Sequence, residues 1–401
     1  MGENILGRLF RLSFPDCTRE ALSFLTSYIS QDCPAIPGLN ANTEQVIVEI
    51  CQEFVLFQSN RGPPKKLSSV QELNLLDMIC TCFKEAPEKS KYRIFNLMFG
   101  AHCNGSGNLL TKLVSLALST RCAPVLFCVA IWMQERDSLS TDVKCLTHRL
   151  VNDYCLLYPD PSNVFCKLPS VSPLFACNFI TSATSYYSFG GADSLPPLSL
   201  LQHVSDWVGQ DNTVCCESLR QATIHHAYTT PVPGLTGWCV RGPLVCSQLL
   251  AKAKASMSTA GVNKGGPDSV QAQVVSLLAC LDKLHLALLQ SLVFSACVNL
   301  SPGLISAGDL AHITHTLTVV YPLQGDCSAE SREEESAAIG VALERLAQIL
   351  QVASGTRTYI SDRGKIKEME SIARHKLPHN RLLLMVLKQQ LQASSSYSAP
   401  S

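Results

Sequence analysis

The chain has 401 residues, enough for one large core or two domains. Hydrophobic residues make up 46% and charged residues only 16%, below the roughly 25% of an ordinary soluble protein, so we expect apolar surface that a partner covers. Basic and acidic residues both number 32, which excludes a global field that attracts nucleic acid or an anionic membrane. Nineteen cysteines without a CxxC pair predict reduced, buried thiols, typical of the cytosol or nucleus.

Helical periodicity begins close to the start of the chain. Apolar spacing predicts helices over 17–30 and 43–57. A clearer helix follows, because Ser69 and Glu72 have capping-box spacing. Its apolar residues recur at steps of three and four: Val70, Leu73, Leu76, Cys80 and Phe83. A shorter helix is predicted over 88–99.

The stretch 108–134 is the most apolar in the chain and predicts a helical hairpin, because Pro124 fits the first turn of a new helix. Residues 123–133 carry no charged or polar side chain. A run of this length is too short for a bilayer, which needs about 20 residues, so we predict a helix packed on all sides by protein. The residues expected in the core of this half are Leu73, Leu76, Leu113 and Leu116.

Helical patterns continue to the end of the chain, while residues 209–233 give no clear pattern. The spacing predicts helices over 141–157, from Pro173, from Pro197 to near 207, over 234–256, 270–299, 337–353 and 365–375, and over 380–393. Gly242-Pro243 predicts a break or kink. The polar run 327–336 predicts a second break, with Glu333, Glu334 and Glu335 in a solvated loop.

The pattern as a whole predicts an all-α protein, because no run alternates with period two. Short turns between helices favour an irregular α-solenoid of stacked helical hairpins, HEAT-like, with a C-terminal helical lobe. The predicted divisions are an N-terminal helical array (1–256), a flexible linker (257–269), a C-terminal helical region (270–393) and a disordered tail (394–401). A compact bundle with a separate C-terminal lobe is the competing arrangement.

Motifs for catalysis are absent from the sequence: there is no phosphate loop, no GxSxG and no HExxH. Four metal-competent side chains lie within twelve residues, Cys215, Cys216, His225 and His226. Adjacent ligands suit one tetrahedral zinc ion poorly, so a metal-binding protein or enzyme built on this cluster is the alternative hypothesis. His312 and His315 lie one turn apart and are predicted to be polar residues on a helix face.

A few further positions are candidates for structural or interface roles. His285 lies on a leucine seam and is predicted to be a core or interface histidine bonded to backbone. In the segment Leu377–Arg381, Pro378 should end one element and Asn380 should cap the next. The basic clusters include Lys65 and Lys66, a group at 252–264, and 374–381; solvated charge is favoured there over nucleic-acid contact.

Several stretches, taken in order, resemble the family of subunit 15 of the Integrator complex. They are KKLSSVQELNLLDMIC, LTKLVSLALSTRCAPVLFC, LVNDYCLLYP, FITSATSYY, SLPPLSLL, GLTGWCVRGPL, DKLHLALLQ, LERLAQILQVA and KLPHNRLL. The resemblance covers most of the chain and is weak over 209–233, 252–273 and 299–336. The last block contains Leu377, Pro378, His379, Asn380 and Arg381, which we take as interface candidates together with His285, Lys65 and Lys66.

The resemblance implies a nuclear scaffold without catalytic role, cofactor or membrane contact. Integrator binds RNA polymerase II, cleaves nascent transcripts, recruits a phosphatase and terminates transcription, and it processes small nuclear RNA 3′ ends. The family's subunit is expected to bridge the module of subunits ten, thirteen and fourteen to the rest, and to meet the polymerase only indirectly. Family members carry a Pro- and His-rich C-terminal tail, and a role residing in that tail is not expected for a chain that stops at Ser401.

Overall fold

The computed structural model describes residues 2–30, 41–58, 66–100, 107–136, 140–157, 164–188, 195–220, 230–259, 267–297, 303–321 and 329–396. Within these ranges the chain is almost entirely α-helical, and its only strands form one two-residue pair. The all-α fold class is confirmed. The irregular solenoid arrangement stays a prediction. Contacts divide the chain into two compact units.

The first unit comprises Met1–Leu150 and Ser170–Phe175. Its described helices are α1 (Gly2–Leu9), α2 (Asp16–Ser30), α3 (Ala41–Ile50), α4 (Ser69–Glu85), α5 (Glu88–Phe99), α6 (Gly107–Ser119), α7 (Ala123–Glu135) and α8 (Thr141–Val151). A π-helical turn, Cys51–Val55, continues α3. Helix α2 packs against α4 and α5, α4 against α6 and α7, and α5 against α7. Phe83, Phe95 and Phe99 lie edge to face or tilted in this core.

Helix α4 begins as predicted but with different caps and a different buried face. The capping box consists of Ser68 and Gln71: Ser68 Oγ accepts from the Gln71 amide at 3.3 Å, and Gln71 Oε1 accepts from the Ser68 amide at 2.9 Å. The prediction that Leu73 is core is wrong, since Leu73 is 56% exposed and Val70 is 78% exposed. The buried residues are Leu75, Leu76, Ile79, Cys80 and Phe83.

The predicted hairpin is confirmed as α6 and α7, which pack against each other, with Pro124 in the first turn of α7. Leu113 is fully buried, while Leu116 is only half-buried. The prediction that α7 is covered on all sides is wrong at Phe127, which is exposed. A run without polar residues therefore does not prove burial of every face.

The second unit comprises Val151–Pro169 and Ala176–Ser401. Its helices, with two that cross the sequence boundaries of the units, are α9 (Leu168–Val171), α10 (Pro173–Tyr186), α11 (Leu198–Gln210), α12 (Glu217–Arg220), α13 (Val232–Thr259), α14 (Pro267–Cys297), α15 (Ala307–Val320), α16 (Ala329–Gly355), α17 (Arg363–His375) and α18 (Arg381–Ser396). A π-helical segment covers Asn152–Leu157, and 3-10 turns cover Val164–Lys167 and Val214–Cys216. Strands β1 (Ile305–Ser306) and β2 (Tyr359–Ile360) pair in parallel, with Ile305 opposite Tyr359.

The core of the second unit is built from helices that are distant in sequence. Helix α13 packs against α14, α15 and α16, α11 against α14, and α17 against α15 and α18. Two tryptophans are buried with satisfied indole N–H groups: Trp207 donates to the Cys166 carbonyl at 3.0 Å and Trp238 to the Tyr187 carbonyl. Buried polar donors with partners are what a well-ordered core requires.

Three predicted interruptions differ from the structure. Helix α13 continues through Gly242 and Pro243, so the chain does not break there, and the alternative of a kink stays a prediction. Helix α16 begins at Ala329, so Glu333–Glu335 lie on a helix and not in a loop. Helix also covers both ends of the predicted linker, since α13 ends at Thr259 and α14 begins at Pro267. Residues 260–266 between them lie outside the described residues, and the division of the chain at this linker stays a prediction.

Candidate interaction surfaces

The segment Leu377–Arg381 forms the turn between α17 and α18. Leu377 is buried and anchors the turn, while Asn380 Oδ1 accepts a 2.9 Å hydrogen bond from the Leu383 amide and so caps α18. His379 and Arg381 are exposed on either side of the cap. The turn is therefore held from inside and presents two polar side chains outward. Its role as an interface stays a prediction.

His285 on α14 is buried and contacts a side chain, not the backbone as the sequence suggested. Its Nε2 lies 2.8 Å from Gln348 Oε1 on α16, while its Nδ1 is buried without a hydrogen-bond partner. Burial lowers the pKa of His285, with the Arg345 guanidinium acting in the same direction. The imidazole lies at the junction of α14 and α16.

Arg345 on α16 is a residue that sequence reasoning missed. Its guanidinium is buried, donates to the Cys239 carbonyl at 2.8 Å, and pairs with the Asp282 carboxylate. Arg345 therefore joins α13, α14 and α16. The available signal was an arginine placed among the apolar residues of LERLAQILQVA, where a charge is retained only if it finds partners.

The alternative metal hypothesis is not favoured by the half of the cluster that the structure describes. Cys215 and Cys216 are buried, and burial raises the pKa of both thiols. Cys216 Sγ instead donates to the Thr213 carbonyl at 3.0 Å. His225 and His226 lie outside the described residues. Among the residues that are described, no three His, Cys, Asp or Glu side chains group as metal ligands.

The remaining polar candidates are solvated. His312 and His315 are exposed on α15, and Lys66 is exposed before α4, while Lys65 lies outside the described residues. Lys254 pairs with Glu334 at 2.7 Å on the surface. Exposed pairs of this kind contribute about 0–1 kcal/mol to stability.

A groove of about 550 Å³ lies between α2 and α4. Its lining is mixed: hydroxyl and amide groups lie beside the charged Arg19, Asp77 and Glu85 and the apolar Leu22 and Met78. The thiol in the groove, Cys82, lies 3.3 Å from Thr26 Oγ1, and burial raises its pKa. A thiol with a raised pKa is a poor nucleophile, so Cys82 gives the groove no reactive group.

The outward face of α14 is an exposed apolar feature in the described part of the second unit. Six residues recur at alternating steps of four and three, which we name the α14 stripe: Val275, Ala279, Asp282, Leu286, Leu289 and Val293. Val275 and Leu286 are each 59% exposed, and Val293 is 51% exposed. The alternation of four and three is the heptad spacing with which one helix packs along another.

Two helical segments, 269–295 and 333–355, are long and apolar enough to cross a membrane by length and composition, as is the bent pair 164–171 and 173–186. In the two single helices, 44% and 50% of the most apolar window is buried against protein. His285 and Arg345 lie on the buried sides of these helices. We assign the apolar length to helix packing, and the absence of membrane contact stays a prediction.

The described residues thus define an all-α protein whose surface features are apolar and charged helix faces. Residues 3–370 match the family described as Integrator complex subunit 15, and the chain belongs to that family. Relatives of that name from Mus musculus and Homo sapiens are 32% and 31% identical to this chain, in matches that cover 98% of it and 88% of each relative. The relative from Drosophila melanogaster is 25% identical over 91% of this chain and 92% of its own length. The family resemblance of the sequence blocks is confirmed.

Proposed function

We propose that this protein is a non-catalytic scaffold subunit of the Integrator complex in the nucleus. It binds other Integrator subunits and bridges the module of subunits ten, thirteen and fourteen to the rest. Through that assembly it serves RNA polymerase II transcription termination and small nuclear RNA 3′-end processing, with no direct polymerase contact of its own. Membership of the subunit 15 family supports the assignment to the complex.

The observation that carries the scaffold role is the α14 stripe. An exposed helix face with heptad spacing is the surface that a second α-helix covers by knobs-into-holes packing. Val275, Leu286 and Val293 are already half in contact with protein, so complete burial by a partner helix contributes about 1 kcal/mol each. The stripe spans five helical turns and contains one charge, Asp282, which Arg345 already pairs.

The test is affinity purification of the tagged full chain from nuclear extract, with co-purifying proteins identified by mass spectrometry. We expect Integrator subunits with the native chain and their loss with Leu286→Glu/Val293→Glu, because two buried carboxylates oppose helix packing. Recovery of no Integrator subunit by the native chain contradicts the scaffold role. Full recovery by the double variant contradicts the assignment to this stripe.

The control is Val319→Glu on α15, where a valine that is 70% exposed stands outside the stripe. Its circular dichroism spectrum and that of the double variant should equal that of the native chain, because all three positions are at the surface. A control that also loses the subunits would indicate a general effect of added charge.

A further inference from the structure

The C-terminal lobe, residues 357–390, carries a net positive charge, although the formal net charge of the whole chain is zero. Between Arg357 and Gln390 there are eight lysines and arginines and three acidic residues. All eight basic side chains are exposed. A local field of one sign on a neutral protein attracts a partner of the opposite sign at short range.

Each of the three acidic residues already has a hydrogen-bond or ion-pair partner within the lobe. Asp362 caps α17 by accepting from the amides of Gly364 and Lys365 at 2.8 and 3.1 Å. Glu368 pairs with Lys365 at 2.9 Å, and Glu370 pairs with Arg374 at 2.6 Å. Six basic residues have no ion pair with any part of the chain that the structure describes: Arg357, Arg363, Lys367, Lys376, Arg381 and Lys388.

Helical spacing places these charges on defined faces. On α17, Arg363, Lys367 and Arg374 lie at i, i+4 and i+11 and share one face, roughly a third of a turn around the helix from the buried Ile366 and Met369. On α18, Arg381, Met385 and Lys388 lie at i, i+4 and i+7. Met385 is 45% exposed between the two cations, so that face combines positive charge with an apolar contact.

The composition of the lobe favours a protein partner over nucleic acid. Nucleic-acid binding to unpaired bases uses exposed aromatic rings interleaved with the cations. Between 357 and 390 the only aromatic residue is Tyr359, which is half-buried with its hydroxyl group inside the protein. An exposed methionine between two cations instead suits an apolar side chain flanked by carboxylates, because Met adapts to varied partners.

We infer that the exposed faces of α17 and α18 form a docking surface for an acidic amphipathic helix of a partner protein. Carboxylates of that helix pair with Arg381 and Lys388 while one of its apolar side chains packs on Met385. Arg363 and Lys367 extend the positive field along α17. This surface is separate in sequence from the α14 stripe, and the inference does not depend on the identity of the complex.

The experiment measures binding of purified full chain to a fluorescein-labelled peptide of repeated EELLEEL heptads by fluorescence anisotropy. We expect saturable binding that weakens as salt rises past about 0.15 M, where screening acts within about 8 Å. Arg381→Glu/Lys388→Glu should weaken binding by about tenfold or more. Lys84→Glu/Lys89→Glu, with two exposed lysines of the first unit, is the control with the same change in net charge.

Three outcomes overturn the inference. The first is that the peptide does not bind. The second is that the control variant weakens binding equally, which would indicate an effect of net charge alone. The third is that single-stranded polyuridylate binds more tightly than the peptide, which would indicate a nucleic-acid surface. The apolar component has its own test. Met385→Ser should weaken binding of the leucine-containing peptide and leave binding of polyglutamate unchanged. Equal effects on the binding of both peptides would contradict a role for Met385.

Discussion

Arg345 supplies the hydrogen bond that Pro243 withholds from Cys239. In an α-helix the carbonyl of residue 239 accepts from the amide of residue 243, and proline has no amide hydrogen. Arg345 Nη1, from a helix 106 residues later, donates to that carbonyl at 2.8 Å. Helix α13 therefore passes through a proline with its freed carbonyl satisfied by α16.

We expect Arg345→Met to destabilise the second unit by about 1.5–3 kcal/mol, because a buried carbonyl loses a charged donor. Pro243→Ala restores the amide donor within α13. The pair forms a double-mutant cycle in urea unfolding, and we expect Arg345→Met to cost less in the Pro243→Ala background than alone. Strictly additive effects would show that the two residues act independently.

Gly242 and Gly340 make a matched pair of helical glycines. A Cβ at Gly242 would lie 2.4 Å from Leu281 Cδ1, while a Cβ at Gly340 meets nothing within 4 Å. We expect Gly340→Ala to stabilise by up to about 1 kcal/mol through helix propensity, and Gly242→Ala to destabilise by about 1–3 kcal/mol because Leu281 is packed in the core. Thermal unfolding of the two variants measures the difference, and similar midpoints would argue against close α13–α14 packing.

Stability should fall as pH decreases below about 6.5, the ordinary pKa of histidine. Burial lowers the pKa of both His285 and His203 in the folded protein, so the unfolded chain binds protons that the folded chain excludes. For each of these histidines, the free energy of unfolding falls by up to about 1.4 kcal/mol per pH unit as the pH decreases below 6.5, and it does not change above that pH. Urea unfolding between pH 7.5 and about 5.5 should show this slope, and His285→Gln/His203→Gln should flatten it. An unchanged slope in the double variant would assign the effect to other groups.

Removing the cap of α18 should loosen the C-terminal lobe without unfolding it. Asn380→Ala loses the hydrogen bond from the Leu383 amide, and we expect a cost of about 1 kcal/mol. Hydrogen exchange at the first amides of α18 should accelerate in this variant. His379→Ala, at the exposed neighbouring position, should leave exchange unchanged, and equal acceleration in both would place the effect in the turn as a whole.

Thiol labelling should separate the exposed cysteine from the buried ones. Among the cysteines that the structure describes, Cys145 is the one that is exposed. Burial raises the pKa of Cys177 and of Cys239 to about 12, which leaves little thiolate at neutral pH. Iodoacetamide with peptide mass spectrometry should therefore modify Cys145 first, and in urea all three should react alike. Early labelling of Cys239 would contradict its burial.

The helical period of the sequence locates most of the buried face of α14, since Val274, Leu281, His285, Leu288 and Leu292 of the predicted seam are buried while Leu278 is only half-buried. It did not predict which apolar residues stay outside. Val275 and Leu286 have the same chemistry as the core residues, and only the positions of α11, α13 and α16 decide which face is covered. The same ambiguity explains the error at Leu73 on α4.

The contacts of the buried polar residues His285 and Arg345 could be predicted from the sequence only in part. His285 was recognised because a polar residue on a leucine seam needs a partner, but the identity of that partner, Gln348, depends on how α16 lies on α14. Arg345 could not be assigned from local spacing. Its burial follows from Cys239 and Pro243, which lie about a hundred residues earlier, and no periodicity relates such distant positions.

The sequence separation of Cys239 and Arg345 also determines the time between their synthesis on the ribosome. At a synthesis rate of about 5–20 residues per second, the 106 residues between them take roughly 5–20 s to emerge. During that interval α13 and then α14 are completed, while α16, which packs against both, is not yet complete. A nascent chain that stalls before residue 345 therefore lacks both the donor for the Cys239 carbonyl and the helix that packs on α13 and α14.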